Sequence, residues 1–276
     1  TGLGAEATNP AIDRLALVKR HNLHFQEPNH GNVLSIGNGN FAFTTDLSGL
    51  QTFPAFHHQG IPLTTMANWA WHSYPNPKHF TLKNVQRPLQ VRGKTQLYPM
   101  VGFPYEGNDP ASQWLNENPH RFSLGQIGLV ILKKNGTEAE IADLRNTSQD
   151  LDLWTGTIHC QFEIEGIPVQ VVTAVHPDQD LVASSIRSDL LRQGRLRVRL
   201  RFPYPTHRDD PSDWNQPGRH RTVMEKPSAR CLRIRREADE TRYHVLLETG
   251  TRFRTHEAGP HVYILTLDPN SDTFDL

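Results

Sequence analysis

The stretch Arg195-Leu196-Arg197-Val198-Arg199-Leu200-Arg201-Phe202 alternates arginine with an apolar residue throughout. Successive side chains of a β-strand point to opposite faces, so this pattern predicts a strand with one buried face and one solvated face. Arg233, Arg235 and Arg236 are expected to continue the solvated arginine face, which could also dock another domain. Strands of this one-sided kind are typical of antiparallel sheets.

The same alternation recurs elsewhere in the chain. From Ile158 to Val171 it is interrupted only at Glu165-Gly166, where we predict the turn of a hairpin. A second hairpin is predicted from residues 128–132 into residues 139–144, because Asn135-Gly136 is a strong hairpin signal. Further strands are predicted over residues 33–45, 181–188, 231–235, 243–248 and 262–267.

Helical patterns are few. Asn9 and Pro10 predict one short helix that runs through Ile12 and Leu15, since asparagine caps the first turn and proline is tolerated at its start. No strand is followed by about 10 to 15 helical residues, which argues against a Rossmann or (β/α)8 fold. The sequence therefore predicts an all-β fold, a large antiparallel sandwich of two sheets with long loops and few short helices, as one domain over residues 1–276.

The composition excludes several classes of partner. Lys+Arg and Asp+Glu are balanced at 29 each, so we expect no nucleic acid and no anionic membrane as a partner. No apolar run reaches the roughly 18 residues of a membrane span. Cys160 and Cys231 form no CxxC pair and allow at most one disulfide. The first residues lack the features of a signal peptide, so we expect a soluble, processed or excised chain; a periplasmic or secreted location is favoured.

Three long segments interrupt the strand pattern, at residues 54–80, 98–121 and 202–221. Loops of this length inside a compact domain are commonly functional or disordered. Their tryptophan and histidine content argues against disorder. These loops are therefore the expected location of functional residues.

Nucleotide and metal sites are not favoured. The cluster Gly37-Asn38-Gly39-Asn40 lacks the third glycine of a dinucleotide motif and precedes a strand pattern, so a tight turn or bulge between strands is predicted. The 15 histidines are scattered, and the adjacent His57 and His58 would point to opposite faces of a strand. We expect no metal and no other cofactor, with most histidines in loop hydrogen bonds.

Catalytic motifs are also missing. No GxSxG motif occurs, and Cys160 falls inside an alternating strand, where it is expected to be a small buried side chain. Six acids lie in the loops, but they are more typical of turns than of a catalytic pair. They are Glu106, Asp109, Glu117, Asp209, Asp210 and Asp213. We therefore assign no catalytic residue.

Aromatic residues in the loops favour carbohydrate binding. Flat rings stack on the apolar faces of sugars, while Asn, Asp, His and Arg bind the hydroxyl groups. In the alternative interpretation the rings cover the ends of the sandwich and hold the loops in place. The candidate sugar-binding residues are Trp69, Trp71, His72, Trp114, His120, Arg121, Trp214 and His220.

Several segments resemble a known superfamily. The segment Leu34-Ser35-Ile36-Gly37-Asn38-Gly39-Asn40-Phe41, followed by Gly49-Leu50-Gln51-Thr52-Phe53, resembles the start of the N-terminal β-sandwich of six-hairpin glycosidases. This superfamily includes glucoamylase-like hydrolases and maltose-phosphorylase-like enzymes. The likeness extends to the segments 69–77, 118–125 and 194–204.

The resemblance implies a galactose-mutarotase-like supersandwich followed by an (α/α)6 barrel that provides the catalytic carboxylates. Nine residues follow Leu267, so we expect the barrel, with its general acid and base, to lie outside this chain unless the chain is a stand-alone sandwich. Under this hypothesis the domain is noncatalytic, packs on the barrel and contributes loops to carbohydrate binding.

Two alternatives remain from the sequence. One is a stand-alone carbohydrate-binding module. The other is a mutarotase-like aldose epimerase that uses a histidine and a carboxylate as acid and base. The sugar and its linkage, the choice between hydrolase and phosphorylase, and the oligomeric state are not determined by the sequence.

Overall fold

Strands dominate the chain, with 47% of residues in strands and 12% in helices, which confirms the predicted all-β sandwich. The structure is a computed structural model, and it describes residues 12–101, 109–268 and 271–276. In that part of the chain, no helix is long and apolar enough to cross a membrane.

The strands are β1 (Leu23–Phe25), β2 (Leu34–Gly37), β3 (Phe41–Thr45), β4 (Thr65–Ala67), β5 (Trp71–His72), β6 (Gln86–Val91), β7 (Lys94–Pro99), β8 (His120–Arg121), β9 (Gln126–Ile131), β10 (Arg145–Asp152), β11 (Thr157–Ile164), β12 (Ile167–Val175), β13 (Val182–Arg187), β14 (Leu196–Arg201), β15 (Tyr204–Pro205), β16 (Ser212–Asp213), β17 (His220–Ser228), β18 (Cys231–Ala238), β19 (Thr241–Glu248), β20 (Phe253–Gly259), β21 (Val262–Leu267) and β22 (Thr273–Asp275). The helices are α1 (Arg14–Lys19), α2 (Pro54–His57), α3 (Leu82–Val85), α4 (Pro110–Glu117) and α5 (Asp189–Arg192). Short 3-10 turns lie at Ile141–Asp143 and Pro217–Arg219.

Two antiparallel sheets form the body of the sandwich. The first has the order β1-β10-β11-β12-β13-β22, and the second has the order β20-β21-β14-β9. Smaller antiparallel groups, β17-β18-β19 and β2-β3-β4, lie beside them. Buried apolar side chains of both large sheets belong to one continuous core, so the two sheets pack against each other.

The strand predictions largely hold. In β14 the apolar residues are buried and the arginines are half-buried, in strict alternation. Glu165 and Gly166 both have positive φ angles, as the predicted two-residue hairpin turn between β11 and β12 requires. Asn38 to Asn40 turn the chain between β2 and β3, which confirms a tight turn; Asn38 Oδ1 accepts from the backbone N–H groups of Asn40 and Phe41.

A buried segment, residues 46–53, joins the sheets. The Asp46 carboxylate accepts from the backbone N–H groups of Ser48 and Phe53 at 2.8 and 2.7 Å, which fixes the turn. Gln51 is hydrogen-bonded to Ile127 of β9 twice. Its backbone N–H donates to the carbonyl of Ile127 at 2.8 Å, and its Oε1 accepts from the backbone N–H of Ile127 at 3.0 Å. The segment is therefore a hydrogen-bonded link through the core.

Two predictions were wrong in detail, and one hairpin was missed. Residues 139–144 do not form the predicted second strand of a hairpin. The pairing after the turn is a single bridge at Glu138, followed by a 3-10 turn. Asp143 holds this turn by accepting from the backbone N–H of Glu140 and by pairing with Lys133 at 2.9 Å. β9 pairs with β14 instead. The three long segments also contain short helices and strands, and one hairpin, β6–β7, was not predicted at all.

The predicted N-terminal helix and the arginine face also need correction. Asp13 caps α1 by accepting from the backbone N–H of Ala16 at 3.0 Å, whereas Asn9 and Pro10 lie outside the described residues. Arg236 is 1% exposed and does not belong to a solvated face. It lies on the inward face of β18, in phase with its buried neighbours.

Candidate functional site

The three long loops meet in one place. β5 of the first loop pairs with β8 of the second, so that Trp71 lies opposite Arg121 and His72 lies opposite His120. The third loop reaches the same ladder through Tyr204, whose ring centroid is 5.7 Å from that of His72. Residues distant in the sequence are therefore brought together by a ladder of only two residue pairs.

Five rings from these loops pack together, and we call His72, Tyr74, His120, Tyr204 and His207 the loop cluster. The ring centroids of His72 and His120 are 5.2 Å apart, and those of Tyr74 and His120 are 4.7 Å apart. Tyr74 Oη lies 3.1 Å from His207 Nδ1. Edge-to-face and tilted contacts of this kind add to the apolar burial of each ring, so the cluster fixes the loops relative to one another.

A turn of the β18–β19 hairpin supplies the carboxylate of the cluster. Tyr204 Oη donates to Asp239, and Arg219 lies 3.8 Å from the same carboxylate. His72 Nε2 is 3.2 Å from Asp239 Oδ2 without the alignment of a hydrogen bond, while its Nδ1 is 2.8 Å from Thr241 Oγ1. The loops are thus also attached to the three-stranded sheet.

Burial controls the protonation of the cluster. It lowers the pKa of His72 to about 4, with a further contribution from the neighbouring His120 and an opposing one from Asp239. Burial also lowers the pKa of His120, and together with Asp239 it raises the pKa of Tyr204. The two imidazoles and the phenol are therefore neutral at pH 7.

The two histidines of the β5–β8 ladder are buried, whereas other members of the loop cluster are partly exposed. The side chain of His72 is 0% exposed, and His120 is also buried. A general acid or base must come within hydrogen-bond reach of its substrate, which the buried His72 does not in this conformation. The side chain of His207 is 35% exposed and lies 3.7 Å from Glu117 Oε1, so the accessible part of the cluster is at His207.

The outer face of the β5–β8 ladder is open. Trp71 is 46% exposed, and the guanidinium of Arg121 lies 4.6 Å from the centre of its ring. Arg121 Nη1 donates to the carbonyl of Ala67 at 2.9 Å, which holds the stack in place. A cleft of about 390 Å³ lies beside the stack, and its lining includes Arg121, Asn40 and Asn68. An exposed ring beside amide and guanidinium groups is suited to binding a polyhydroxylated ligand.

Two of the predicted tryptophans have structural contacts. Trp114, on α4, donates from Nε1 to the carbonyl of Tyr74 at 3.3 Å and so holds the loop cluster from outside. Trp214 is half-buried, with the guanidinium of Arg201 4.2 Å from the centre of its ring. For these two rings the contacts agree with the alternative in which aromatic residues hold the loops.

Trp69 and His220 lie outside the β5–β8 ladder, although the ring of His220 is 6.0 Å from that of Tyr204 in the loop cluster. Trp69 is half-exposed beside an apolar cavity of about 590 Å³ and donates from Nε1 to Asp180 Oδ2 at 2.6 Å. His220 accepts from the guanidinium of Arg236 and stacks near His261, with ring centroids 3.8 Å apart. The eight predicted residues therefore belong to several environments rather than one.

Four residues around the ladder were missed by the sequence analysis: Tyr74, Tyr204, His207 and Asp239. Three of them lie in the long loops, but nothing in the sequence ranks them above their neighbours. Of the loop acids considered, Glu117 lies beside the cluster. Glu106 is outside the described residues. No group of three or more His, Cys, Asp and Glu in the described ranges could hold a metal ion.

Comparison with known proteins gives a likeness of fold. No family model matches the chain, and no curated protein matches it. A solved structure described as a kojibiose phosphorylase from human microbiome is similar, with a TM-score of 0.52 and 10% sequence identity. The match covers 94% of this chain and 32% of that chain, so this chain spans about a third of the other protein.

Proposed function

We propose that this chain is the sandwich domain of a glycoside-hydrolase-like protein. In this proposal it packs on a helical (α/α)6 barrel that contains the catalytic groups, and it contributes loops to carbohydrate binding. The observation that supports it most is the fold match to a phosphorylase over 94% of this chain and 32% of the other. The domain itself would provide binding surface and no catalytic residue.

The open face of the β5–β8 ladder is the proposed sugar contact. Trp71 offers a ring for stacking, Arg121 offers a cation with several donors, and Asn40 and Asn68 line the adjacent cleft. One exposed ring and three polar side chains offer few contacts, so we expect this surface alone to bind a sugar weakly. Stronger binding would require further contacts from the barrel.

Calorimetric titration with a panel of glucose disaccharides tests the sugar surface. We expect millimolar affinity for at least one disaccharide, and at least a tenfold loss in Trp71→Ala and Arg121→Ala. Trp154→Ala is the matched control, because Trp154 is 52% exposed and lies in the turn between β10 and β11. Equal affinity in all three variants, or no binding by the unmodified chain, would contradict this part of the proposal.

The barrel is tested separately. The coding region downstream of this chain, where it encodes a helical domain, would be expressed with a different tag and mixed with the 276-residue chain. We expect a one-to-one complex in sedimentation and phosphorylase or hydrolase activity only in the complex. Full activity of the helical domain alone would show that the sandwich is not needed for the site.

Of the alternatives, an aldose epimerase has the weaker support. Its acid and base would have to be accessible, and His72 beside Asp239 has a fully buried side chain. A stand-alone carbohydrate-binding module stays a prediction, which disaccharide binding without any helical partner would support.

A further inference from the structure

We infer that the large apolar cavity is a second binding site, separate from the proposed sugar surface at Trp71, and that its ligand is a neutral alkyl or aryl glycoside. In this site the apolar aglycone fills the cavity and the sugar lies at the mouth. The inference rests on the cavity's own lining and does not require the proposed barrel.

The cavity has the size and lining of a small-molecule site. Its volume is about 590 Å³, within the range of roughly 300 to 1,000 Å³ that is usual for ligand pockets. Strands β9, β14 and β19 contribute to its wall. The apolar side chains that form it include Phe41, Leu124, Leu200, Phe202, Tyr243 and Leu247. Tyr243 Oη donates to the carbonyl of Leu124 at 2.6 Å, so the phenol's polar end is already satisfied.

One buried acceptor in the lining lacks a donor. Gln126 is 5% exposed and donates from Nε2 to the carbonyl of Leu63 at 2.8 Å. Its Oε1 is buried without a hydrogen-bond partner among the described residues. A buried amide oxygen left unpaired costs about 1 to 3 kcal/mol. A ligand hydroxyl that reaches this side chain and donates to Oε1 would recover that cost, whereas a pure hydrocarbon would not.

The mouth of the cavity combines exposed apolar groups with carboxylates. Trp69, Leu181 and Leu246 are exposed by 50, 44 and 59%, which is unfavourable for apolar side chains unless something covers them. Asp180 fixes the Trp69 indole by accepting its N–H, and Glu248 lies on the same lining. Carboxylates and an indole ring are groups that bind sugar hydroxyls and sugar faces.

The charge of the lining restricts the ligand. Among its described residues the lining includes Asp180 and Glu248 but no lysine or arginine. Fatty acids, phosphates and other anions would therefore be repelled, since like charges at close range oppose binding. A free sugar would leave the apolar wall uncovered. A neutral molecule with an apolar body and a sugar head satisfies both the wall and the mouth.

Calorimetry on the 276-residue chain tests the inference with four probes: octyl glucoside below its micelle concentration, phenyl glucoside, octanoate and glucose. We expect both glycosides to bind, octanoate to bind at least tenfold more weakly than octyl glucoside, and glucose to give no heat at this site. No binding of either glycoside, or octanoate binding as tightly as octyl glucoside, would overturn the inference.

Two variants locate the site. Ala183→Phe places a ring at an exposed position of the lining and should weaken glycoside binding at least tenfold by occupying the mouth. Trp69→Ala should have the same effect, and Trp154→Ala is the control with similar exposure. Thermal unfolding checks that each variant is folded. Ala183 is at the surface, so Ala183→Phe still tests the inference if Trp69→Ala does not fold. Unchanged affinity in Ala183→Phe would overturn the inference, even if disaccharide binding at Trp71 is confirmed.

Discussion

Arg236 provides the sharpest test of how this domain is held together. Its guanidinium is buried and donates to the carbonyls of Arg221 and Pro203 at 3.0 and 3.1 Å, to Thr222 Oγ1 and to His220. These groups come from β17 and from the start of the third long loop. One side chain therefore joins the three-stranded sheet to that loop.

The expected loss in Arg236→Leu follows from the acceptors that remain. The buried carbonyl of Pro203 and the part-buried carbonyl of Arg221 would each lose a donor. At about 1 to 3 kcal/mol for each unpaired acceptor, we expect the free energy of unfolding to fall by about 3 kcal/mol. This is a large part of the roughly 5 to 15 kcal/mol that is typical of a domain. Chemical unfolding by urea measures it as a lower midpoint with an unchanged slope.

Arg235→Leu is the matched control for this experiment. Arg235 is the next residue of β18 and points outward, where its exposed side chain pairs with Glu237 at 3.0 Å. Exposed pairs contribute about 0 to 1 kcal/mol, so we expect a loss below about 1 kcal/mol. A loss in Arg236→Leu as small as that in Arg235→Leu would refute the role assigned to the buried guanidinium.

Three further predictions concern pH and the core. Burial lowers the pKa of His72 to about 4 and that of His220 to about 3, so the unfolded chain binds protons at a higher pH than the folded chain. The free energy of unfolding should therefore be highest above about pH 6.5 and fall by a few kcal/mol towards pH 4. A urea midpoint that stays constant over this pH range would contradict this. In Gly128→Ala the new Cβ would lie 2.4 Å from a backbone oxygen, so we expect the free energy of unfolding to fall by more than about 3 kcal/mol. In the control Gly136→Ala the Cβ meets open space but the residue has a positive φ, so we expect a loss of about 1 kcal/mol. Equal urea midpoints for the two variants would be inconsistent with this packing. Asp46→Asn should lower the free energy of unfolding by about 1 to 3 kcal/mol, because the amide has one acceptor oxygen for the two backbone N–H groups that the carboxylate now binds. An unchanged melting temperature would argue against the role of Asp46 in the turn.

The all-β architecture was predictable because alternation is a local signal. β14 and the β11–β12 hairpin each follow directly from period-2 sequence. The position of Arg236 was available from the same signal: Leu232, Ile234 and Ala238 are all buried and in phase with it. The error came from grouping arginines by residue type instead of by strand phase.

The loop cluster was not predictable in the same way. His72 and His120 were both singled out, but their pairing across β5 and β8 depends on two residue pairs formed between distant loops. Neither segment has an alternating pattern long enough to define a strand or its register. Asp239 lies in a hairpin turn outside all three loops, so only the folded chain brings it near His72.

The β5–β8 ladder explains why buried histidines and an exposed tryptophan occur side by side. Neighbouring residues of a strand face opposite ways, so the inward His72 and His120 require an outward Trp71 and Arg121. The inner face is fixed by the packed rings of three loops, and the outer face is thereby held in one geometry. A binding surface presented on such a support loses little conformational entropy when it meets a ligand. The histidines thus support the proposed sugar surface by holding it in position.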